Sequence, residues 1–269
     1  MSRDARWTAL LDLLAEHGRL EVDDAALALN VSTATIRRDL DQLSEQQMLT
    51  RTRGGAVAHG VSYELPLRYR TARQASQKQR IGTAVAAIVT AGDVVGLTGG
   101  TTTTEVARAL ALRGDIAAAG TPGTGTTVGQ PVLTVVTNAL NIANELVIRP
   151  QIKIVVTGGV ARPQSYELTG PLARGVLQEI TLDIAVLGVD AIDPERGAYA
   201  HHEDEASINR LLAERAQRVV VAADASKFTK RAFARICGAE TVDALITDDA
   251  IAPETIARFE DAGIAVTVV

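Results

Sequence analysis

The sequence predicts an α/β protein in which a small unit of short helices precedes an open, mostly parallel sheet covered by helices. Short helical patterns fill roughly the first 50 residues. From residue 81, strand-length apolar runs alternate with helical patterns, and several runs are continuously apolar, as is typical of strands covered on both faces. The length of 269 residues also exceeds a single average domain. We expect a first unit at residues 1–58, a connector at residues 59–80 and a larger unit at residues 81–269.

The first unit is predicted to contain three helices. Trp7, Leu10 and Leu14 recur at helical spacing in the first of them. Asp23 is a candidate N-cap for a second, short helix, and Ser32 is a good N-cap for a third. The third helix, "TATIRRDLDQLSEQQ", places its large apolar residues on one side and leaves most of its polar residues to other faces.

A short hairpin, or wing, is predicted where "MLTRTRGGAVAHG" follows the third helix. This order of elements is that of a winged helix-turn-helix, whose third helix enters the major groove of DNA. The candidate DNA contacts lie at the start of that helix and in the wing: Ser32, Thr33, Thr35, Arg37, Arg38, Arg51 and Arg53. The alternative is a small helical cap in which the Arg-Arg pair is only solvated.

The charge distribution limits how the chain could bind DNA. The net charge of −5 argues against binding through a global field. Residues 57–80, however, carry 5 basic residues and 1 acidic residue, whereas residues 81–269 carry 15 and 22. Contact with DNA would therefore use a local patch on the N-terminal side. The connector is either a helical linker that adds phosphate contacts or a solvated face.

The larger unit is predicted to contain seven strands and at least five helices. The strand candidates are Val94–Leu97, Leu133–Thr137, Ile152–Thr157, Ile184–Gly188, Val219–Ala223, Ala244–Thr247 and Ile264–Val268. The helical patterns span 102–112, 139–148, 171–179, 204–215 and 253–262. The Gly/Thr/Pro-rich stretch 117–131 interrupts this alternation and is interpreted as a flexible surface excursion.

Glycine or polar residues follow five of the predicted strands. Such strand ends meet at one edge of an open α/β sheet, where ligands bind. "TGGTTTT" can surround a phosphate at a helix N-terminus, Lys227 can meet it as a point charge, and acidic residues can accept hydrogen bonds from hydroxyls. The candidate ligand contacts are Gly99, Gly100, Thr101, Thr102, Thr103, Thr137, Asn138, Gly158, Gly159, Asp190, Asp224 and Lys227. Each signal is weak alone, but together they predict a site for a small, anionic, polyhydroxylated ligand.

Several other functions are disfavoured. No lysine follows the glycines of the loop as a Walker A motif requires, and the adjacent histidines of "HHEDE" lack the spacing of a helical zinc site. We expect no metal and no cofactor. The single cysteine, Cys237, the charged N-terminus and the lack of a membrane-length apolar run favour the cytoplasm.

These motifs resemble those of the DeoR family of bacterial transcriptional regulators over nearly the whole chain. "VSTATIRRDLDQL" with "TRTRGGA" is similar to the family's helix-turn-helix signature. "GDVVGLTGGTTTTEVARAL", "LTVVTNALNIANEL", "VVTGGV", "ELTGPLA", "ADASKF" and "DALITDD" follow in family order. The resemblance implies a winged helix-turn-helix joined to a sugar-phosphate sensor domain. It implies a repressor of a carbohydrate catabolic operon that acts as a homo-oligomer, a dimer or tetramer, and whose binding to double-stranded operator DNA changes with the effector.

The larger unit in turn resembles ribose-5-phosphate isomerase, which implies an isomerase-like sheet domain. "GVDAID" and "DASK" look like that enzyme's acidic and phosphate-side motifs, and "HEDEA" places Glu205 near its catalytic glutamate. The resemblance therefore adds Glu205 to the hydroxyl-binding candidates. The isomerase also needs a lysine in the loop that here reads "ERGAYAHHEDE", and without it an enediolate would lose its electrostatic partner. We expect a sensor without catalysis; the alternatives are an isomerase-like enzyme with a helical cap, or an activator with the same ligand site.

Overall fold

The computed structural model describes residues 3–17, 19–45, 49–57, 74–117 and 131–269. They form two compact units that divide after residue 73. Most of the expected connector and of the Gly/Thr/Pro-rich stretch lies outside the described residues. The last residues of the expected connector, 75–80, form the first turns of a helix in the second unit.

In its described residues, the first unit contains three helices and a small antiparallel sheet. The elements are α1 (Arg3–His17), β1 (Arg19–Glu21), α2 (Val22–Leu29), α3 (Thr33–Glu45), β2 (Thr50–Arg51) and β3 (Gly55–Val57). The strand order is β1-β3-β2. Helix α2 begins at Val22, with Glu21 as its N-cap, so the expectation that Asp23 caps it was wrong. The core brings Trp7, Leu10 and Leu14 together with the apolar side of α3.

The Gly-Gly pair of the wing has a packing reason. A Cβ on Gly55 would lie 1.8 Å from the carbonyl oxygen of Leu20, across the β1–β3 ladder. A side chain at this position would therefore separate the two strands. Strand β1 was not predicted, because three residues are too few to show a strand pattern.

The second unit contains the predicted seven strands and additional short elements. The elements are α4 (Ala75–Ile88), β4 (Val94–Leu97), α5 (Thr101–Leu112), α6 (Gly114–Ala117), β5 (Leu133–Thr137), α7 (Leu140–Leu146), β6 (Ile152–Val156), β7 (Val160–Ala161), β8 (Leu168–Thr169), α8 (Pro171–Gln178), β9 (Leu182–Leu187), β10 (Ala191–Asp193), β11 (Gly197–Ala200), α9 (Glu203–Glu214), β12 (Ala216–Ala222), β13 (Ala234–Cys237), β14 (Ala244–Thr247), α10 (Pro253–Asp261) and β15 (Ala265–Val268). Two short 3-10 helices span Ala225–Lys227 and Ala239–Thr241.

One parallel sheet organises this unit, in the order β15-β14-β12-β9-β4-β5-β6. Helices cover both of its faces. In β9, for example, Ile184 and Val186 pack in the core on the side of α4 and α5, whereas Ala185 and Leu187 pack with α8 and α9. Burial on both faces explains why these strands are continuously apolar, and the predicted fold class of an N-terminal helix-turn-helix and an open, mostly parallel α/β sheet is confirmed.

The strand order creates a topological switch point. From β4 the chain builds β5 and β6 on one side, and then β9, β12, β14 and β15 on the other. In open α/β sheets the crevice beyond the carboxyl ends of the strands at such a point is the usual ligand site. Here that point lies between β4 and β9.

Candidate DNA-binding helix and ligand-binding crevice

The start of α3 is capped and exposes its polar residues. The backbone N–H of Thr35 donates to Ser32 Oγ at 3.2 Å, as the expected N-cap requires, and the two hydroxyls lie 2.9 Å apart. Asn30 adopts a left-handed conformation, with φ of 53°, which turns the chain sharply between α2 and α3. Arg37 and Arg38 are exposed, and neither has an ion-pair partner among the described residues.

A buried carboxylate fixes the back of α3. Asp39 is 2% exposed and lies on the apolar side of the helix. It accepts hydrogen bonds from Trp7 Nε1 at 2.9 Å and from Arg6, whose Nη2 lies 3.0 Å away and whose Nε is also bonded to it. Burial raises the pKa of Asp39, but the hydrogen bonds from Arg6 and Trp7 and the charge of Arg6 outweigh it, so the pKa is lowered overall. The carboxylate therefore ties the buried face of α3 to α1, and the opposite face of α3, which carries Arg37 and Arg38, stays exposed.

The two wing arginines have different surroundings. Arg51 donates from Nε to Asp41 Oδ1 at 2.7 Å and from Nη1 to the carbonyl oxygen of Gly55, so it links the wing to α3. Arg53 lies exposed in the turn between β2 and β3. Of the two, Arg53 has the guanidinium that is available to a phosphate.

Glycines bring the first turns after β4 and β9 into contact. Gly188 N donates to Thr98 Oγ1 at 2.8 Å, which joins the two strand ends. A Cβ on Gly188 would lie 2.7 Å from the carbonyl oxygen of Gly99 and 3.3 Å from Thr103 Cγ2. Gly99 is similarly constrained, because its Cβ would lie 2.3 Å from Glu167 Cγ. The backbones of the two turns can therefore approach each other closely only because Gly99 and Gly188 have no side chains.

The N-terminus of α5 opens at this point. Gly100 caps the helix with φ of 134°, a conformation that favours glycine. The next N–H groups have no intrahelical acceptor and form a natural anion site. The four threonines divide into two pairs: Thr103 and Thr104 donate their hydroxyls to the Gly100 carbonyl oxygen, at 3.1 and 2.6 Å. The hydroxyls of Thr101 and Thr102 have no hydrogen-bond partner in the described part of the chain.

Lys227 and Asp190 meet beyond β9 and β12. Lys227 Nζ lies 3.8 Å from Asp190 Oδ1, and both side chains are mostly buried. Asp190 Oδ2 accepts the backbone N–H of His201 at 3.0 Å. Asp190 lies two residues after Gly188, so the charged pair and the glycine-lined strand ends belong to the same edge of the sheet.

Asp224 connects this edge to the start of α4. It is 1% exposed, and its Oδ1 accepts from the backbone N–H and hydroxyl of Ser226 at 3.1 and 2.5 Å. With its amide nitrogen towards the carboxylate, Gln74 donates to Asp224 at 2.7 and 3.2 Å. Gln74 immediately precedes α4 and has φ of 51°. Asp224 was predicted as a ligand contact, but no sequence pattern indicated its contact with Gln74.

A buried polar cluster lies on the other side of the glycine pair. Asn138 is fully buried and donates to Glu167 Oε2 at 2.9 Å and to Asn209 Oδ1 at 3.2 Å. Its own Oδ1 has no partner. Glu167 and Asn209 were not among the predicted site residues. The burial of Glu167 against Gly99 leaves no local mark in the sequence, whereas Asn209, a polar residue on the apolar face of α9, was a visible signal.

Glu205 is held by two residues that the sequence did not single out. It is 3% exposed, and its Oε1 accepts from Arg162 Nη1 at 2.9 Å and from the hydroxyl of Ser165. A carboxylate so engaged is fixed in orientation, and Arg162 neutralises its charge.

The remaining candidates have structural partners. Thr137 donates to the Leu97 carbonyl oxygen at 2.7 Å and accepts from Ala139 N at 3.0 Å, so it links β4, β5 and the start of α7. Gly158 and Gly159 both have positive φ, at 76° and 113°.

The "HHEDE" stretch forms the start of a helix. His202 caps α9 by accepting from Asp204 N at 3.3 Å, and the described residues contain no group of three metal-ligating side chains. None of the helices in the described part of the chain has the length and apolar character needed to cross a bilayer.

The chain combines a winged helix-turn-helix with an open α/β unit whose glycine and polar residues gather at the switch point of its sheet. Residues 6–60 match the DeoR-like helix-turn-helix domain, and residues 127–249 match the DeoR C terminal sensor domain. The chain belongs to the DeoR family of transcriptional regulators, as its full-length relatives below also establish. It is a DNA-binding transcriptional regulator with a C-terminal sensor domain.

Relatives match over nearly the full length of both chains. A protein named as an aga operon transcriptional repressor in Escherichia coli O157:H7 is 33% identical, covering 97% of this chain and 91% of the relative. The glycerol-3-phosphate regulon repressor of Escherichia coli K12 is 29% identical, covering 92% of each. Among solved structures, ribose 5 phosphate isomerase A from Neisseria gonorrhoeae is 15% identical with a TM-score of 0.38, covering 57% of this chain and 53% of that one.

Proposed function

We propose that this protein represses a carbohydrate catabolic operon and that a phosphorylated sugar or polyol, bound at the β4–β9 switch point, changes its affinity for operator DNA. The observation that carries the proposal is the pairing of Lys227 with Asp190 at 3.8 Å beyond the strand ends that Gly99 and Gly188 bring together. The names of the two relatives, repressors of an aga operon and of a glycerol-3-phosphate regulon, support it.

The phosphate would bind where Gly100 opens the first turn of α5. The free N–H groups of that turn and the unpartnered hydroxyls of Thr101 and Thr102 supply neutral donors, and Lys227 supplies the charge. Thr103 would contact the ligand through its backbone, since its hydroxyl already donates to Gly100. Binding of a phosphate would draw Lys227 towards the phosphate, and Asp190 Oδ1 would then accept a hydrogen bond from a ligand hydroxyl.

The remaining polar candidates would orient the ligand's carbon chain. Glu205 keeps Oε2 for a hydroxyl while Arg162 and Ser165 hold Oε1. Asn138 has an unpartnered Oδ1, which can accept one more hydrogen bond. Thr137, Gly158 and Gly159 would shape the crevice. The hydroxyl of Thr137 already donates one hydrogen bond and accepts another, so it would not bind the ligand directly.

DNA would be bound by α3 and the wing. Arg37, Arg38 and Arg53 are exposed cations, and the capped start of α3 offers Ser32, Thr33 and Thr35 to phosphates and base edges. Arg51 would position the wing through Asp41 and Gly55. We propose that the protein acts in the cytoplasm as a dimer or tetramer, as two half-sites on a duplex operator require.

Coupling between the two activities would pass through residues 59–80. Asp224 is the anchor of that route within the sensor, because it lies three residues before Lys227 and accepts hydrogen bonds from Gln74. A shift of the Lys227 segment on ligand binding would therefore reach the residue that precedes α4.

A DNA-release titration tests the proposal. A duplex selected from a random library by the full chain is titrated with glycerol-3-phosphate, triose, pentose and hexose phosphates. We expect one of these compounds to change the affinity of the chain for DNA. In Lys227→Ala the concentration of that compound needed for the change should rise by about 10- to 100-fold, because one charged hydrogen bond to the ligand is lost. The DNA affinity measured without the compound should stay the same. Lys153→Ala, an exposed lysine on β6, is the control and keeps the full response.

The DNA side has its own test. Arg37→Ala should weaken DNA binding and reduce the steepness of its salt dependence by about one unit of log–log slope, because one phosphate contact releases about one counterion. Arg218→Ala, which removes an exposed arginine near the amino-terminal end of β12, should change neither quantity. On the effector side, an unchanged response of Lys227→Ala to the active sugar phosphate would refute the assignment of the effector site.

A further inference from the structure

A cavity of about 410 Å³ lies beside the β10–β11 hairpin. Its walls come from that hairpin, from the loop that follows the 3-10 helix at Lys227, and from α10. None of the proposed effector contacts lines it. Its volume lies within the range of about 300–1,000 Å³ that is usual for small-molecule sites.

The cavity is cationic in a unit that is otherwise acidic. Four basic side chains line it, Arg196, Lys230, Arg231 and Arg258, against the two acids Asp193 and Glu195. Residues 81–269 as a whole carry 15 basic and 22 acidic residues. The local excess of positive charge therefore opposes the charge of the surrounding unit, and it would attract an anion.

The two acids are already engaged. Asp193 Oδ1 accepts the backbone N–H groups of Glu195 and Arg196 at 2.9 and 3.0 Å, which closes the hairpin turn. Glu195 pairs with Arg258 at 3.2 Å. In the described residues, Arg196 and Arg231 have no acidic partner. Two exposed guanidiniums at one cavity can each clamp a phosphate group through paired hydrogen bonds.

Two aromatic side chains also line the cavity. The chain has only four Tyr, three Phe and one Trp, yet Tyr199 and Phe228 both line this cavity and are half-buried. Phe228 is held by an edge-on contact with Phe259, with ring centroids 5.6 Å apart. Aromatic side chains of this kind provide stacking surfaces for nucleobases.

We propose that this cavity is a second ligand site and that it binds a nucleotide, with the phosphates on Arg196 and Arg231 and the base against Tyr199 and Phe228. The cavity shares no lining residue with the proposed effector site. It does, however, begin at the residue after Lys227, so its occupant would contact the segment that carries the proposed effector-binding lysine.

Calorimetric titration of the full chain with ADP tests this proposal, with inorganic pyrophosphate and adenosine as separate arms. We expect ADP to bind more tightly than pyrophosphate or adenosine. The double variant Arg196→Gln/Arg231→Gln should weaken ADP binding by about 100-fold, since each lost charged contact accounts for about tenfold. Arg218→Gln removes the same kind of charge from an exposed position near the amino-terminal end of β12, outside the cavity, and should leave ADP binding unchanged.

The outcomes separate the parts of the proposal. No binding of ADP, or binding that the double variant leaves intact, overturns it. Pyrophosphate binding as tight as that of ADP overturns the nucleotide assignment, because the aromatic wall would then contribute nothing. The double variant should still release DNA in response to the effector, so failure of this proposal is distinguishable from failure of the proposed effector site.

Discussion

Replacing Asp39 by asparagine should destabilise the DNA-binding unit far more than the same change at a neighbouring surface position. Asp39 is 3% exposed at its side chain and Arg6 is 14% exposed, so the charge of Arg6 would be left with little water to solvate it. Removing one partner of a buried ion pair costs about 3–5 kcal/mol, and the asparagine retains some of the hydrogen bonds. We therefore expect a loss of about 2–4 kcal/mol.

The chain contains a convenient reporter for this measurement. Its one tryptophan, Trp7, donates directly to Asp39, so intrinsic fluorescence follows the N-terminal unit within the full-length protein. With an m value of about 1–1.5 kcal/mol/M for so small a unit, the urea midpoint should fall by about 2 M. Asp41→Asn is the matched control on the same helix: its pair with Arg51 is exposed, and the midpoint should move by less than about 0.5 M.

The pH dependence gives a second readout of the same contact. Because the pKa of Asp39 is lowered in the folded state, its contribution is complete above the unfolded value of about 3.9 and is lost as the pH falls through the folded value. The difference between wild type and Asp39→Asn should therefore be constant from pH 8 to about pH 5 and shrink below pH 4. Equal midpoints for Asp39→Asn and Asp41→Asn at pH 7 would refute this reasoning.

Two further predictions follow from the sensor. Gly188→Ala should destabilise it by about 1–3 kcal/mol and abolish the effector response, because the new Cβ would lie 2.7 Å from the Gly99 carbonyl oxygen. Gly175→Ala, with open space around its Cβ in a helix, should instead be neutral or stabilise by up to about 1 kcal/mol; a thermal-shift comparison that ranks the two equally would contradict the packing argument. Burial raises the pKa of Cys237 to about 11, so a thiol reagent at pH 8 should label it only after unfolding, and rapid labelling of the folded protein would disagree with its buried position.

The sequence predicted the central sheet well because burial on both faces leaves a direct mark. All seven strands are present, and the mark is clearest in runs such as Val219–Ala223, which is apolar throughout and ends at Asp224. The strands β10, β11 and β13 were missed, because three or four residues without regular alternation cannot be separated from loop. As a result, the cationic cavity beside the hairpin could not be predicted.

The roles of individual site residues were harder to predict than the site itself. The four threonines from Thr101 to Thr104 are identical in sequence, yet helix geometry directs only the last two hydroxyls back to Gly100. Arg162 and Ser165 hold Glu205 from 43 and 40 residues away, a distance at which no local pattern operates. Asp39 did leave a signal, as a charged residue within the apolar face of α3, but its partners lie 32 and 33 residues earlier.

The central claim is that the effector crevice and the DNA-binding helix are coupled, and linkage measures it most directly. The affinity of the full chain for its selected duplex is determined with and without saturating sugar phosphate, and the affinity for sugar phosphate is determined with and without duplex. We expect both affinities to change by the same factor, of about 5- to 150-fold, in wild type, whereas Lys227→Ala should need about 10- to 100-fold more sugar phosphate to produce the change. Sugar phosphate that binds wild type tightly while leaving its DNA affinity unchanged would contradict the account.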